Sequence, residues 1–237
     1  MRLAVWSGPR NISTAMMYSF ANRSDFHAVD EPFYASYLNC TGLNHPMRDD
    51  ILRSQSTDPK KVIETLSGEQ NVGAKSQYQK HMTQHMISEI PRNWMLEVTN
   101  VFLLRHPVRV VASFAKKYPN ARTNDIGFSQ QVALFKFLRD AGQNSLVLNS
   151  EDLRENPETN LRQLCDGLGI DFQTTMLSWP KGGMSCDGVW ARHWYGAVHN
   201  SSGFGDKEGA MPNLKGHLSD IAEQALPDYE FMMKYSL

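Results

Sequence analysis

The chain has 237 residues, with 24 Lys and Arg against 25 Asp and Glu, and the net charge of −1 excludes a global basic field for nucleic acid or an anionic membrane surface. That length can bury one sizeable core, so a single α/β domain over residues 1–237 is expected. Cys40, Cys165 and Cys186 form no C-x-x-C pair, the start lacks a signal-peptide pattern, and no apolar run is long enough to span a bilayer; the expectation is a soluble cytoplasmic protein with reduced thiols and no membrane partner.

The pattern opens with a buried strand at Leu3–Trp6, a tight loop, and a helix over Ser13–Arg23. Ser7-Gly8-Pro9 is a small-residue turn, Arg10 a cation, and Asn11-Ile12-Ser13-Thr14 leads into the helix. That layout suits a phosphate: backbone N–H groups at a helix N-terminus face the anion, a cation closes over it, and hydroxyls complete the cage. The nucleoside-triphosphate loop G-x-x-x-x-G-K-[ST] is approached but not matched, because the second Gly and the Lys are missing.

Strands are predicted at Phe26–Val29, Val72–Lys75, Val101–Leu104 and Ser145–Leu148, all parallel-sheet material. Helices are predicted over Gln79–Ile90, Val108–Tyr118, Ser129–Gly142 and Pro157–Leu168, the last with Pro157 at its first position and Gly169 as its stop. Asp171–Trp179 adds a short helix, and Leu218–Leu226 with Asp228–Tyr235 a final pair. Two stretches lack strong periodicity: 34–61, a polar excursion, and 181–213, a glycine-rich loop region. Both are expected to cover a substrate.

Val101-Phe-Leu-Leu-Arg105-His-Pro107 ends a strand in a cation and opens a helix that carries Ser113. An Arg at the carboxyl end of a strand faces the crevice where open α/β sheets bind ligands, and an Arg with a hydroxyl suits a phosphate monoester. The duller readings are a strand-to-helix turn capped by Ser13 for the loop, and a sheet-end ion pair for Arg105. Trp190, Trp194, Tyr195 and Phe204 read either as a base-stacking surface or as a small satellite core, the core being the simpler account of Trp194 and Tyr195.

Three segments in order, Ser7–Thr14, Leu104-Arg-His-Pro-Val-Arg-Val-Val-Ala-Ser113, and Leu146-Val-Leu-Asn-Ser-Glu-Asp-Leu-Arg-Glu-Asn-Pro-Glu158 with Leu164-Cys-Asp-Gly-Leu-Gly-Ile170, resemble the sulfotransferases that use 3′-phosphoadenosine 5′-phosphosulfate (PAPS). The Trp190–Tyr195 and Ser201–Phe204 tracts resemble those of bacterial and plant sulfotransferase-like proteins. The resemblance implies a three-layer α/β/α fold with a central parallel sheet of the P-loop nucleoside triphosphate hydrolase-like type. It implies PAPS as donor, PAP as product, no metal, a small-molecule hydroxyl or amine as acceptor, and no nucleic-acid partner. It assigns Gly8, Pro9, Arg10, Asn11, Ile12, Ser13 and Thr14 to the 5′-phosphosulfate, and Arg105 with Ser113 to the 3′-phosphate; Arg192 and Ser201 are further candidates there.

Arg10 stands where the family usually has Lys, and would stabilise charge on the leaving phosphate oxygen. Lys75 is the candidate strand-end cation near the sulfuryl group. The family places a general base either as a His two residues after that Lys, where this chain has Gln77, or as a Glu at the end of the second strand, where it has Glu31. Glu31 is the favoured base; His81 and His85 are the alternatives. Two other classes stay open: a small-molecule or nucleotide kinase with a degenerate P-loop, and a catalytically silent PAP-binding protein, to which Gln77 and Ser150 (the latter in place of a common Tyr) would point.

Overall fold

The computed structural model describes residues 1–68 and 76–237. Its strands are β1 (Arg2–Ser7), β2 (Phe26–Asp30), β3 (Ser76–Met82), β4 (Thr99–Leu104) and β5 (Leu146–Asn149). Its helices are α1 (Ser13–Ala21), α2 (Tyr34–Thr41), α3 (Arg48–Ser54), α4 (Pro59–Ser67), α5 (Pro107–Ala115), α6 (Phe128–Asp140), α7 (Ser150–Glu155), α8 (Pro157–Leu168), the short α9 (Ala191–Trp194) and α10 (Gly196–His199), and α11 (His217–Met233). The strands form one parallel sheet in the order β2-β3-β1-β4-β5.

β1 is central because both its faces are apolar. Leu3 and Val5 join Tyr78, Val101, Leu103 and Leu148 beneath Met16 and Phe20 of α1 and Leu161 and Leu164 of α8. Ala4 and Trp6 face the other way, with Phe102, Leu104 and Val147, against Val62 and Leu66 of α4, Val132 and Phe135 of α6, and Met232 of α11. With a period of two, neighbouring residues of one strand feed opposite cores, which makes the three layers. The chain runs from β1 to β2 and β3 on one side, then to β4 and β5 on the other, so the carboxyl end of β1 is the switch point where such sheets hold ligands.

The structure corrects the sequence reading in several places. The strand expected at Val72–Lys75 falls on 69–75, outside the described residues, and the third strand is Ser76–Met82, where a helix from Gln79 was expected. β3 carries buried polar side chains that hide its alternation, and several of them pair with one another: Gln79 Nε2 donates to Gln77 Oε1 at 2.6 Å, and His81 Nε2 lies 3.0 Å from Gln79 Oε1. The expected final helix pair is one helix, α11, running through Pro227. The proline disrupts one turn, a cost of about 3 kcal/mol, but Ile221, Ala222 and Ala225 pack on one side of it and Met232 on the other. Region 34–61 is three helices, α2 to α4, with Tyr34, Tyr37, Leu38 and Ile51 in the first core, rather than a loose excursion. The helix expected at Asp171–Trp179 is a 3-10 turn over Thr174–Leu177, and α7 has no counterpart in the sequence reading. Among the described residues, no helix is long and apolar enough to cross a membrane.

Candidate active site

The β1–α1 loop is held in an uncommon backbone shape. Arg10 and Ile12 have φ of +64° and +55°, with a negative value at Asn11 between them. Alternation of this kind turns successive N–H groups toward one concavity and costs on the order of 1 kcal/mol per non-glycine residue. The cost is met by fixed contacts. Asn11 Nδ2 donates to the carbonyls of Gly8 and Pro9, each at 3.0 Å; Ser150 Oγ donates to Asn11 O at 3.0 Å; and an Arg105 amino group donates to Arg10 O at 2.6 Å. A Cβ on Gly8 would lie 2.3 Å from the carbonyl of Ile126, so the turn admits no side chain there. Helix α1 then starts after Ile12, which offers no side-chain cap, leaving its first amides to face the cavity.

Arginines gather around the loop. Arg10 Nε donates to Ser113 Oγ at 2.9 Å. Burial first, then the charge of Arg105, pushes its guanidinium below its ordinary value. Arg105 emerges from β4 and meets the carboxylate of Glu208 at 2.7 Å. Glu208 is also bound by Arg109 of α5 at 3.1 Å and Arg154 of α7 at 3.2 Å, and Arg109 additionally meets Glu151 at 3.1 Å.

A second charged cluster lies at the carboxyl ends of β2 and β3. Lys80 Nζ lies 3.0 Å from Asp30, 2.5 Å from Glu31 Oε1, and 2.6 Å from the Tyr195 hydroxyl. Tyr195 also accepts from Trp190 Nε1 at 3.0 Å and donates to Asp30 at 2.8 Å. The Gly188 amide donates to the other Asp30 oxygen at 3.1 Å. Glu31 has φ of +39° and its amide donates to Lys80 O at 2.9 Å, which fixes the strand end that carries it. Burial raises the pKa of Glu31, the Lys80 charge opposes this, and neighbouring Asp30 adds to the rise. For Lys80, burial pulls downward, but Asp30 and Glu31 outweigh it and the ammonium is stabilised overall. The Tyr195 hydroxyl is pushed up by burial and then by the two carboxylates. One ammonium between two carboxylates leaves one negative charge in a desolvated site, and Glu31 is the group whose proton affinity rises.

Both clusters open onto one cavity of about 400 Å³. Its far wall is aromatic. His85 lies stacked against Tyr34 and Tyr37, with ring centroids 4.5 and 4.7 Å apart, and burial holds the imidazole well below its ordinary pKa, hence neutral. His45, Tyr118 and Trp194 continue that wall.

Of the residues singled out by sequence, Pro9, Arg10, Asn11, Ile12, Ser13, Thr14, Glu31, Arg105, Ser113 and Ser201 line the cavity. Gly8 sits behind the loop. Arg192 is not brought there: it is an exposed side chain paired with Asp50 and seated on Met47. Lys75 lies outside the described residues, and the lysine at the end of β3 is Lys80. His81 faces away, stacked on Trp6 with centroids 4.3 Å apart and its pKa pushed down to about 3 by burial; the helix that was to carry it toward the site is a strand. Trp190, Tyr195 and Phe204 are in the first core, yet Tyr195 and Phe204 also reach the cavity. Lys80, Arg109, Arg154 and Glu208 went unassigned in the sequence reading, and Tyr195 was read there as core rather than as a partner of Lys80. Lys80 carried a signal as a cation in a polar run before His81, and Arg109 and Arg154 carried one by lying inside the Leu104–Ser113 and Leu146–Glu158 segments.

A family model described as a sulfotransferase domain matches residues 1–236. Two Arabidopsis thaliana proteins, branched-chain-amino-acid aminotransferase-like proteins 1 and 2, are 36% and 34% identical over 233 and 228 residues, covering 97% and 96% of this chain. The chain spans about two-fifths of each, 41% and 40% of their lengths. Among solved structures, the sulfotransferase domain from the curacin biosynthetic pathway aligns over 99% of this chain and 98% of its own, with TM-score 0.58 and 18% identity. The sulfotransferase domain of the Synechococcus PCC 7002 olefin synthase aligns over 100% of this chain and 96% of its own at TM-score 0.54 and 16% identity, a likeness of fold. With the β1–α1 loop at the switch point of a parallel sheet and a family match along essentially its whole length, this chain belongs to the sulfotransferase domain family.

Proposed function

We propose that the chain transfers a sulfuryl group from PAPS to a hydroxyl or amine of a small-molecule acceptor. The observation that carries this reading is the single cavity joining an anion-binding loop and arginine cluster to a desolvated Glu31–Lys80 pair and an aromatic wall. The loop amides of 10–14, with Ser13 and Thr14, fit the phosphosulfate; Arg105 fits the 3′-phosphate; the aromatic wall fits the acceptor. Arg10 supplies positive charge where the bridging oxygen of the 5′-phosphate gains it.

The balance of the step is simple. The sulfur–oxygen bond to the 5′-phosphate breaks and its electron pair stays on the phosphate; a sulfur–oxygen or sulfur–nitrogen bond to the acceptor forms; Glu31 takes the acceptor proton. Lys80 holds the Glu31 carboxylate at the cavity edge, with the Tyr195 hydroxyl 3.2 Å away. The demands are positioning and charge stabilisation, as in phosphoryl transfer. A kinase reading is less well supported: Asp30, the fair match for a magnesium-binding carboxylate at a strand end, has its oxygens engaged by Lys80, Tyr195 and the Gly188 amide.

Calorimetric titration with PAP beside ATP–Mg, on wild type and Arg105→Ala, tests the donor. The expected result is PAP binding that weakens about 10- to 100-fold in the variant, the range of a lost charge-assisted hydrogen bond. Binding of ATP–Mg without PAP would overturn the reading.

A further inference from the structure

The three guanidiniums of the anion pocket already share an anion, and it belongs to the chain. Glu208 meets Arg105 at 2.7 Å, Arg109 at 3.1 Å and Arg154 at 3.2 Å, with its side chain 6% exposed. Its surroundings are otherwise those of a surface strap. Asp206, Lys207, Gly209, Ala210 and Met211 are all exposed, and Gly205 begins the segment at φ of +80°. Outside Glu208, the holds on the strap are an ion pair from Lys207 to Glu155 and a bond from Arg109 to Gly209 O at 2.7 Å.

The pocket is also more capacious than its occupant. Arg105 Nε and Arg154 Nε are buried and have no hydrogen-bond partner, so donors remain after the carboxylate is bound. A carboxylate offers two oxygens, a phosphate monoester three and more charge. Arg105, Arg154 and Gly205 all line the cavity, so the pocket and the strap open onto the ligand space rather than onto a separate surface.

We propose that Glu208 is an internal stand-in for the donor's 3′-phosphate. Its carboxylate holds Arg105, Arg109 and Arg154 together in the free chain, and an incoming phosphate displaces it along with the strap 205–211. Arg109 and Arg154 are thereby ligands of the phosphate beside Arg105. Glu208 becomes a specificity-determining residue, because an uncharged 3′-hydroxyl cannot displace a carboxylate from three guanidiniums whereas a phosphate can. The naming of the anion as a 3′-phosphate rests on the PAPS reading; the exchange of Glu208 for an anion does not.

The test titrates wild type and Glu208→Gln with PAP, ADP and inorganic phosphate, and follows tryptic cleavage at Lys207 in the strap. The variant is expected to bind PAP and inorganic phosphate tenfold or more tightly than wild type, with ADP unchanged. In wild type, PAP is expected to speed cleavage at Lys207. PAP binding that is equal or weaker in the variant, or slower cleavage of the strap when PAP binds, overturns the stand-in role while leaving the donor reading intact. Tighter inorganic phosphate binding in the variant with no PAP binding by either protein sustains the exchange and removes the PAPS reading. Where the variant melts at a lower temperature, recovery on adding phosphate supports the exchange, and no recovery counts against it.

Discussion

Replacing Lys80 by Met is the perturbation that most exposes how the site is held. Lys80, Asp30 and Glu31 have side-chain exposures of 1%, 1% and 9%, so all three charges are desolvated. Removing the ammonium strands two adjacent carboxylates and breaks three hydrogen bonds, including that to Tyr195. Breaking a buried ion pair from one side costs about 3–5 kcal/mol, and for a chain of this size that lowers the melting temperature by roughly 6–20 °C. The sign with pH is fixed. Without Lys80, its charge no longer opposes the burial that raises the Glu31 pKa, and a raised carboxyl stabilises below its unfolded value and loses that contribution as pH rises through its folded value. The deficit relative to wild type is therefore smaller at pH 5 than at pH 8. The triple variant Lys80→Met, Asp30→Asn, Glu31→Gln, which removes every charge at once, recovers more than half of the loss. Thermal melts of the three proteins at both pH values provide the assay. A Lys80→Met variant that melts within 2–3 °C of wild type, or a deficit that does not change with pH, would refute the reasoning; the lower limit corresponds to about 1 kcal/mol.

Other outcomes follow from the same geometry. Glu31→Gln should leave PAP affinity unchanged and lower kcat by about 10²- to 10⁴-fold, the usual share of a general base; undiminished turnover removes Glu31 from that role. In wild type, the acid limb of kcat against pH should lie above the ordinary glutamate range, because burial raises Glu31, and should be absent from the residual activity of the Gln variant. His81 is neutral and buried with its pKa at about 3, so its contribution to stability is present above its unfolded value and lost as pH falls toward the folded one. His81→Phe, which keeps a ring against Trp6, should lessen the fall in stability on acidification by up to about 1.4 kcal/mol per pH unit, read by denaturant titration at pH 7, 6 and 5.

Much of the scaffold was legible because its punctuation is local. An apolar run followed by Gly8-Pro9, another followed by Arg105-His106-Pro107, and Pro157 with Gly169 at the two ends of α8 each announce an element through a short-range steric rule. The arginine and serine that meet in space, Arg10 and Ser113, come from the two segments that looked like ligand loops. The rest was invisible for one physical reason: its stability comes from partners far along the chain. β3 reads as polar, and only the approach of Asp30 and Glu31 from 50 and 49 residues earlier and of Tyr195 from 115 residues later makes a buried lysine tolerable there. The spacing of His81 and His85 then suggested a helix face, whereas His81 lies in β3 against Trp6 and His85 follows the strand in a 3-10 turn, Thr83–His85, that carries it to the cavity. Glu208 was unreadable on the same ground, since its three arginines come from β4, α5 and α7 and no pattern near residue 208 hints at them.

The central claim is transfer, and labelled sulfur follows it directly. The protein is incubated with PAPS carrying radioactive sulfur and a panel of phenols, alcohols and amines, and the product is read together with PAP release. Labelled product from at least one acceptor, formed in step with PAP and suppressed in Glu31→Gln, is the predicted result. Tight PAP binding with no label moved to any acceptor would contradict the account and identify a binding protein built on a transferase fold.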